Sequence, residues 1–373
     1  MSRHTKLFGS TSYRTLNCPA HYQRGLHLPE PPTSPAAEEG TMLHGICEDV
    51  LKRPDMLPED HPKWDDLDYD QQRIVWHHVE FVRDLAKGGK LLVEFRTECP
   101  HLHPEWFGTA DAVIIKPPRL TIADLKCGRI GVEVEDDKGD INAQLASYAI
   151  GVLETLPRDV VRQIREVELV VIQPRNGGFK RRLVNLAELK AMKARLLEAG
   201  RLAESANPPA SAGPWCKFCK AKATCPTVRE RVFEQAKLDF AFADEDPQKL
   251  TRADIAEILS VAELAKDWIA SVETLAAQML SEDSEAVEGW ELVPKRATRK
   301  WAAQPSDITS TLTAQGLRLS DITKTEILSP SQIEQVARKQ GIEIDLTGLT
   351  KAESSGMKLA RKEHNDDEFD GGW

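Results

Sequence analysis

Three cysteines crowd into one short stretch of this chain, and a fourth lies almost two hundred residues away. The stretch reads Trp215-Cys216-Lys217-Phe218-Cys219-Lys220-Ala221-Lys222-Ala223-Thr224-Cys225-Pro226, a Cys-x2-Cys-x5-Cys pattern. The distant one is Cys18, in Leu16-Asn17-Cys18-Pro19. If Cys18 joins the cluster, the chain must fold so that its N-terminal segment returns to residues near 220. That requirement closes everything between them into one body. Four thiolates hold either a zinc ion or an iron–sulfur cluster. Zinc ribbons usually offer two Cys-x2-Cys pairs, whereas this chain has one pair and two isolated cysteines.

The remaining cysteines are Cys47, Cys99 and Cys127, which read as small buried residues. An odd total of 7 argues against a disulfide framework. With 373 residues, the chain suffices for one large or two ordinary domains. No apolar run is long enough to span a bilayer, and the N-terminus is not followed by a signal-like stretch, so a cytoplasmic protein without a membrane partner is expected. The net charge of −10 constrains solubility better than it constrains partners. Two basic stretches, Arg175 to Arg182 and Lys295 to Lys300, read as solvated loop or strand ends, with phosphate binding as the other reading.

Periodicity places helices over Glu38–Leu51, Tyr69–Lys87, Ala143–Leu156 and Leu186–Ala206. Strand signals cover Leu91–Phe95, Gly108–Ile115, Leu120–Cys127 and Val167–Gln173, with Phe179–Val184 as a hairpin partner across Asn176-Gly177-Gly178. The order implies an α/β (α+β) core, a central mixed sheet flanked by helices. Residues 1–240 are expected to form that domain, closed by the cysteine staple. A helical C-terminal extension is expected over 245–355, including helices at Thr251–Leu280, Ser306–Gln315 and Ser329–Lys339. An acidic, disordered tail is expected over 356–373.

The chemistry-bearing residues lie in Thr109-Ala110-Asp111, then a Pro117-Pro118 turn, then Asp124-Leu125-Lys126. A hairpin symmetric about that turn pairs position 111 with position 124. Asp111 and Asp124 then face each other across the ladder, with Lys126 on the same face. Like charges placed opposite each other destabilise a sheet, and a divalent cation between them removes the penalty. Oxygen ligands of this kind suit Mg²⁺ or Mn²⁺, and a neighbouring lysine can orient or deprotonate a metal-bound water. Glu94 reads as a surface strand end, with a role as an extra acid as the alternative.

These motifs resemble a known family. Asp111 followed by Asp124-Leu125-Lys126 is similar to the PD-(D/E)XK nuclease core. His44, in Glu39-Gly40-Thr41-Met42-Leu43-His44, resembles the upstream histidine of its RecB-like branch, and Gln144-Leu145-Ala146-Ser147-Tyr148 resembles that branch's Gln-x3-Tyr helix motif. The four cysteines resemble those of cluster-bearing members such as the CRISPR-associated exonucleases. The whole chain resembles an uncharacterised phage and prophage family. The resemblance implies that His44, Asp111, Asp124 and the Leu125 carbonyl bind Mg²⁺ or Mn²⁺. Lys126 would act on the water, and Gln144 and Tyr148 would contact the site or DNA. It also implies a [4Fe–4S] cluster on Cys18, Cys216, Cys219 and Cys225, with zinc as the alternative. The function expected is a metal-dependent DNA nuclease, an exonuclease on single-stranded or resected DNA in phage recombination or replication. A phage single-strand-binding or recombination protein is a further candidate partner, and a homo-oligomer is compatible. The rival expectations are a catalytically silent DNA-binding accessory protein on a nuclease fold and a zinc-stabilised interaction protein.

Overall fold

The computed structural model describes residues 6–30, 33–136, 139–242, 251–294, 298–323, 329–340, 342–353 and 357–361. Its centre is a mixed five-stranded sheet in the order β1-β2-β3-β4-β5. The strands are β1 Lys90–Glu98, β2 Phe107–Lys116, β3 Arg119–Leu125, β4 Glu166–Gln173 and β5 Gly178–Asn185. β2 and β3 form the hairpin that the symmetry about Pro117-Pro118 requires. Lys116 lies opposite Arg119 and Ala112 opposite Ala123. Continued by one residue, that register sets Asp111 opposite Asp124. β4 runs parallel to β3, and the return passes through the Ala143–Thr155 helix. Its Val167–Gln173 run is buried throughout, the pattern of a strand covered on both faces. The edge strand β5 alternates instead.

Period-two alternation sorts the sheet's apolar residues into two layers. Val113, Ile115, Leu120, Ile122, Leu169 and Val171 pack with Leu145, Ala149 and Leu196 from the Ala143–Thr155 and Leu186–Ala203 helices. Ala112, Ile114, Ala123, Leu125, Val170 and Ile172 pack with Leu43, Ile46, Ile74 and Val79 from the Pro35–Leu51 and Tyr69–Ala86 helices. The N-terminal segment is part of the first layer. Leu7 and Phe8 are fully buried, and Phe8 stacks on Trp106 at 4.4 Å. Ala20 N–H donates to the Pro209 carbonyl at 2.9 Å, and the Gln23 amide donates to the carbonyls of Ala203 and Ser205. These bonds return the N-terminus to the cysteine segment, as the spacing of the thiols demands.

Arg175, just past β4, joins both helices of the second layer to the end of β3. It makes two hydrogen bonds to Glu39, at 2.8 and 2.9 Å, one to Asp70 at 2.7 Å and one to the Cys127 carbonyl at 2.9 Å. The Arg175 and Gln71 hydrogen bonds hold the Glu39 carboxyl at a pKa of about 2. A depressed carboxyl pKa contributes stability that is complete above its unfolded value of about 4.5 and is lost as pH falls toward 2. Arg175→Met is therefore expected to cost about 1.5–3 kcal/mol near neutrality, the scale of a charged hydrogen bond. The gap from wild type should close as pH drops through that window. Calorimetric melting temperatures against pH check this, and a pH-independent gap contradicts the ionic account.

A first compact unit runs to Trp268, beyond the expected boundary at 240. The extension follows from packing: Leu264 and Trp268 join Cys216, Cys225 and Val228, and Trp268 Nε1 donates to the Ala223 carbonyl at 3.2 Å. The second unit, Ile269–Trp373, has its own core of Ile308, Leu312, Leu317, Ile322, Ile333, Ala337, Leu346 and Leu349. It contains the expected helices, as Pro305–Ala314 and Pro330–Gln340. It also contains two antiparallel ribbons that a purely helical extension lacks. β6 Trp290–Pro294 pairs with β9 Met357–Arg361, and β7 Thr298–Trp301 pairs with β8 Thr350–Glu353. Residues 357–361 of the expected disordered tail are thus a strand, and 362–373 lie outside the described residues. Among the described residues no helix is long and apolar enough to cross a membrane.

Candidate metal centre and thiol pocket

The second-layer helix Pro35–Leu51 carries His44 to the end of the sheet where β2 begins. Ser34 caps that helix, accepting from Ala37 N–H, and Pro35 occupies its first position. His44 Nδ1 lies 3.4 Å from Asp111 Oδ2, and Leu125 N–H donates to the same oxygen at 2.7 Å. Asp111 thereby ties the tip of β3 to the helix. Ligand atoms of His44, Glu94 and Asp111 all lie within 4.8 Å of one another, a spacing one ion can bridge. Glu94 reaches this group from β1 by an uncommon backbone conformation, φ 48°, which interrupts the ladder between Val93–Ala112 and Phe95–Ala110. A non-glycine residue in the left-handed region is strained, and such strain gathers at functional sites.

The electrostatics describe a place for a cation. Burial pushes the Glu94 carboxyl up to about 7, and the Asp111 and Glu48 charges add to it. Burial opposes charging of His44, but its bonds to Asp111 and Cys127 outweigh that and lift its pKa to about 11. The imidazolium is thus the positive charge that the surrounding anions draw in, and an ion binding there would replace its proton. Burial likewise opposes ionisation of Asp111, and the His44 and Leu125 hydrogen bonds overcome it, holding the carboxyl below its usual range. Hard carboxylate oxygens with one imidazole form a donor set that suits Mg²⁺ or Mn²⁺.

Lys126 continues β3 beside this group, its backbone fixed by a 2.8 Å bond to the Ile172 carbonyl. Its ammonium pairs with Asp124 Oδ2 at 2.7 Å and donates to Gln144 Oε1 at 3.3 Å. The Gln144 amide donates to Asp124 Oδ1 at 3.3 Å and to the Tyr148 hydroxyl at 3.1 Å. Gln144 and Tyr148 share one face of the Ala143–Thr155 helix, which Asn142 caps by accepting from the amides of Gln144 and Leu145. The Tyr148 ring lies so near Gly108 that a β-carbon there would sit 2.8 Å from Tyr148 Cε1, so only glycine permits the approach. Burial raises the Asp124 pKa, with the Asp111 charge adding. Burial disfavours the Lys126 charge, but Asp124 prevails and keeps it protonated. In this state Lys126 donates hydrogen bonds and accepts no proton.

The four cysteines named from spacing line a single pocket together with Arg14, His21, Arg24 and Trp215. Arg24 donates to Cys225 Sγ at 3.1 Å and to the Thr227 hydroxyl at 3.0 Å. Burial raises the Cys216 and Cys219 thiols. Cys47 and Cys99 are buried elsewhere, as expected of small core residues, whereas Cys127, also buried, bonds His44 at the sheet end.

The residues expected to carry catalysis or hold a metal or cluster therefore fall at two places. His44, Asp111, Asp124, Leu125, Lys126, Gln144 and Tyr148 meet at the sheet end, and Cys18, Cys216, Cys219 and Cys225 meet at the pocket. Glu94 is the residue that sequence reasoning undervalued. It is not the surface end of its strand, since β1 continues to Glu98. The available signal was an acid set between the apolar run Leu91-Leu92-Val93 and Phe95.

The fold and site define a mixed α/β protein with a histidine–carboxylate centre and a separate thiol pocket. The chain belongs to the family described as "Protein of unknown function (DUF2800)", whose pattern matches residues 4–366. Among solved structures, one described as "Crystal structure of SSO0001" shares 16% identity, with 61% of this chain and 89% of that chain covered. Its TM-score is 0.27, a level at which neither fold nor function transfers.

Proposed function

We propose that this chain is a metal-dependent DNA nuclease of the RecB-like PD-(D/E)XK type. The observation that carries the reading is the convergence of His44, Glu94 and Asp111 within 4.8 Å beside a lysine fixed by Asp124 and Gln144. His44, Glu94 and Asp111 would hold Mg²⁺ or Mn²⁺, with Asp124 and the Leu125 carbonyl adjoining. The ion, when bound, polarises a scissile phosphate and acidifies a water. The chain's own residues do the rest. Lys126, held as an ammonium, orients the attacking water and offsets the charge that develops on the phosphate. Gln144 fixes the lysine and Asp124 together, so their geometry is set before substrate arrives. Tyr148, kept protonated by burial and the Asp124 charge, offers a hydroxyl donor beside Gln144.

The thiol pocket supports a [4Fe–4S] cluster over zinc. A tetrahedral zinc with Zn–S bonds of about 2.3 Å places its sulfurs about 3.8 Å apart. The thiols here come as one Cys-x2-Cys pair and two isolated cysteines, not the two close pairs that zinc ribbons usually offer. Four thiols flanked by Arg14 and Arg24 line that pocket, a donor set that can hold a multi-atom cluster.

The test is cleavage of end-labelled single- and double-stranded DNA by anaerobically purified protein in Mg²⁺ or Mn²⁺. Tight binding without cleavage in either metal would favour the silent accessory role. Glu94→Gln keeps the shape and removes the charge. It is expected to raise the metal concentration for half-maximal cleavage at least about tenfold, the scale seen when a metal site loses one supporting group. An unchanged metal requirement removes Glu94 from the site.

A further inference from the structure

Charge is unevenly distributed along this acidic chain. No Asp or Glu occurs before Glu30, and none occurs from Ser205 to Arg229. These are the two segments that line the thiol pocket. They bring Arg14, Arg24, Lys217, Lys220, Lys222 and Arg229 to one region of a molecule whose net charge is −10. Two of these cations serve the pocket: Arg24 bonds Cys225 Sγ, and Arg14 bonds the Trp215 carbonyl at 3.2 Å. Lys220 pairs with Glu30 at the rim, and Lys222 donates to the Lys217 carbonyl at 3.0 Å. Arg229 is exposed in the first turn of the helix Pro226–Phe242 that follows the last cysteine.

Aromatic rings stand among these charges. Phe218, between Cys216 and Cys219, is 77% exposed, far from the burial expected of its side chain. Lys217 Nζ lies 5.9 Å from its ring centroid. Tyr13 is 48% exposed and meets Trp215 edge-on at 6.2 Å. Arg229 covers the half-exposed Phe233 ring at 5.8 Å. Acids near this surface are Glu30, Asp136 facing Tyr13, and the exposed Glu230 and Glu234 that follow Arg229 and Phe233. Exposed rings interleaved with cations match one ligand chemistry well. Single-stranded nucleic acid offers base faces for stacking and phosphates for the charges.

We propose that the cation- and aromatic-rich surface over the thiol pocket, centred on Phe218, is a docking surface for single-stranded DNA. Bases stack on Phe218 and Tyr13 while Lys217 and Arg229 neutralise phosphates. The thiol pocket holds the Phe218 loop in place, so a structural centre also presents the substrate. The substrate class rests on the nuclease reading, but the binding does not require cleavage.

The test uses full-length, anaerobically purified protein carrying Lys126→Ala, with a fluorescein-labelled oligothymidylate and a duplex of equal length read by anisotropy. Phe218→Ala is expected to weaken single-strand binding about tenfold, the scale of one lost stacking contact, and Phe218→Trp to restore it. Lys217→Ala and Arg229→Ala are each expected to lower the salt slope of the affinity by about 0.7. Visible absorbance and metal content show that the pocket is intact in each variant. Affinities and slopes unchanged in all of the alanine variants overturn the proposal, as does preference for the duplex. If these variants lose binding but wild type never cleaves, the docking surface stands and the nuclease reading fails. If wild type cleaves while the variants bind normally, the reverse holds.

Discussion

Lys126→Ala is expected to lower metal-dependent DNA cleavage by about 10²–10³-fold, the cost of removing one preorganised donor to developing charge. The protein should remain folded, and the reason lies in the lysine's surroundings. Its ammonium is held by Asp124 at 2.7 Å and by Gln144 at 3.3 Å, so the substitution leaves Asp124 buried without its counter-charge. A fixed carboxylate stranded in this way would cost about 3–5 kcal/mol. Asp124 escapes most of that cost because burial already raises its pKa, and it can take up a proton. Lys126→Arg separates charge from position. It keeps the counter-charge for Asp124 but cannot place one compact donor, so stability should recover while activity stays low. Single-turnover rates at saturating Mn²⁺, alongside melting temperatures, separate the two effects. Full activity in Lys126→Ala would exclude the lysine from the chemistry. Activity and stability that fall and recover together would reduce its role to pairing with Asp124.

What could be read from the sequence depended on how local its physical cause was. The β2–β3 register followed from symmetry about Pro117-Pro118, because a tight turn leaves few other pairings, and Ala112 does face Ala123. The helices carrying His44 and Gln144 followed from periodicity and from capping residues beside them, Ser34 and Asn142. Glu94 did not follow. A strand pattern assigns sides by alternation, and nothing local announces a left-handed residue that interrupts it. The ribbons of the second unit were equally hidden. β7 is Thr298–Trp301 and its partner is Thr350–Glu353, two short polar runs whose pairing is decided by distant chain. The unit boundary at Trp268 depended on a tryptophan meeting the cysteine loop, a tertiary contact that composition does not register. The convergence of Cys18 with Cys216, Cys219 and Cys225 was legible from their spacing, and the four line one pocket. The charge segregation around it was also legible, but it acquires meaning only once Cys18 and Cys216 are known to line one pocket.

Cys216→Ala is expected to remove colour, bound metal and solubility together. Cys216 is buried, and its pocket joins residues near Cys18 to the segment Ser211–Val228. Other ties cross the same join: the Ala20–Pro209 bond at 2.9 Å, the Gln23 bonds, and the burial of Leu7 and Phe8. Each such hydrogen bond contributes only about 0.5–1.5 kcal/mol net. A structural metal contributes on the order of 10 kcal/mol, comparable to the whole stability of a domain. If the pocket holds the proposed cluster, that term decides whether the N-terminal segment stays docked. Its loss also releases Val228, Leu264 and Trp268, whose small cluster is built on Cys216 and Cys225. Cys99→Ala is the matched control. Cys99 is fully buried but lies outside the pocket, so that variant should lose some stability and keep its colour and metal. Iron and sulfide content, visible absorbance and melting temperature distinguish the cases. Stoichiometric zinc in colourless wild type would replace the cluster with an ion and leave the stability argument unchanged. A soluble, colourless, active Cys216→Ala protein would show that the ties from Ala20, Gln23 and Phe8 suffice, and that no metal is needed to hold the two ends of the domain together.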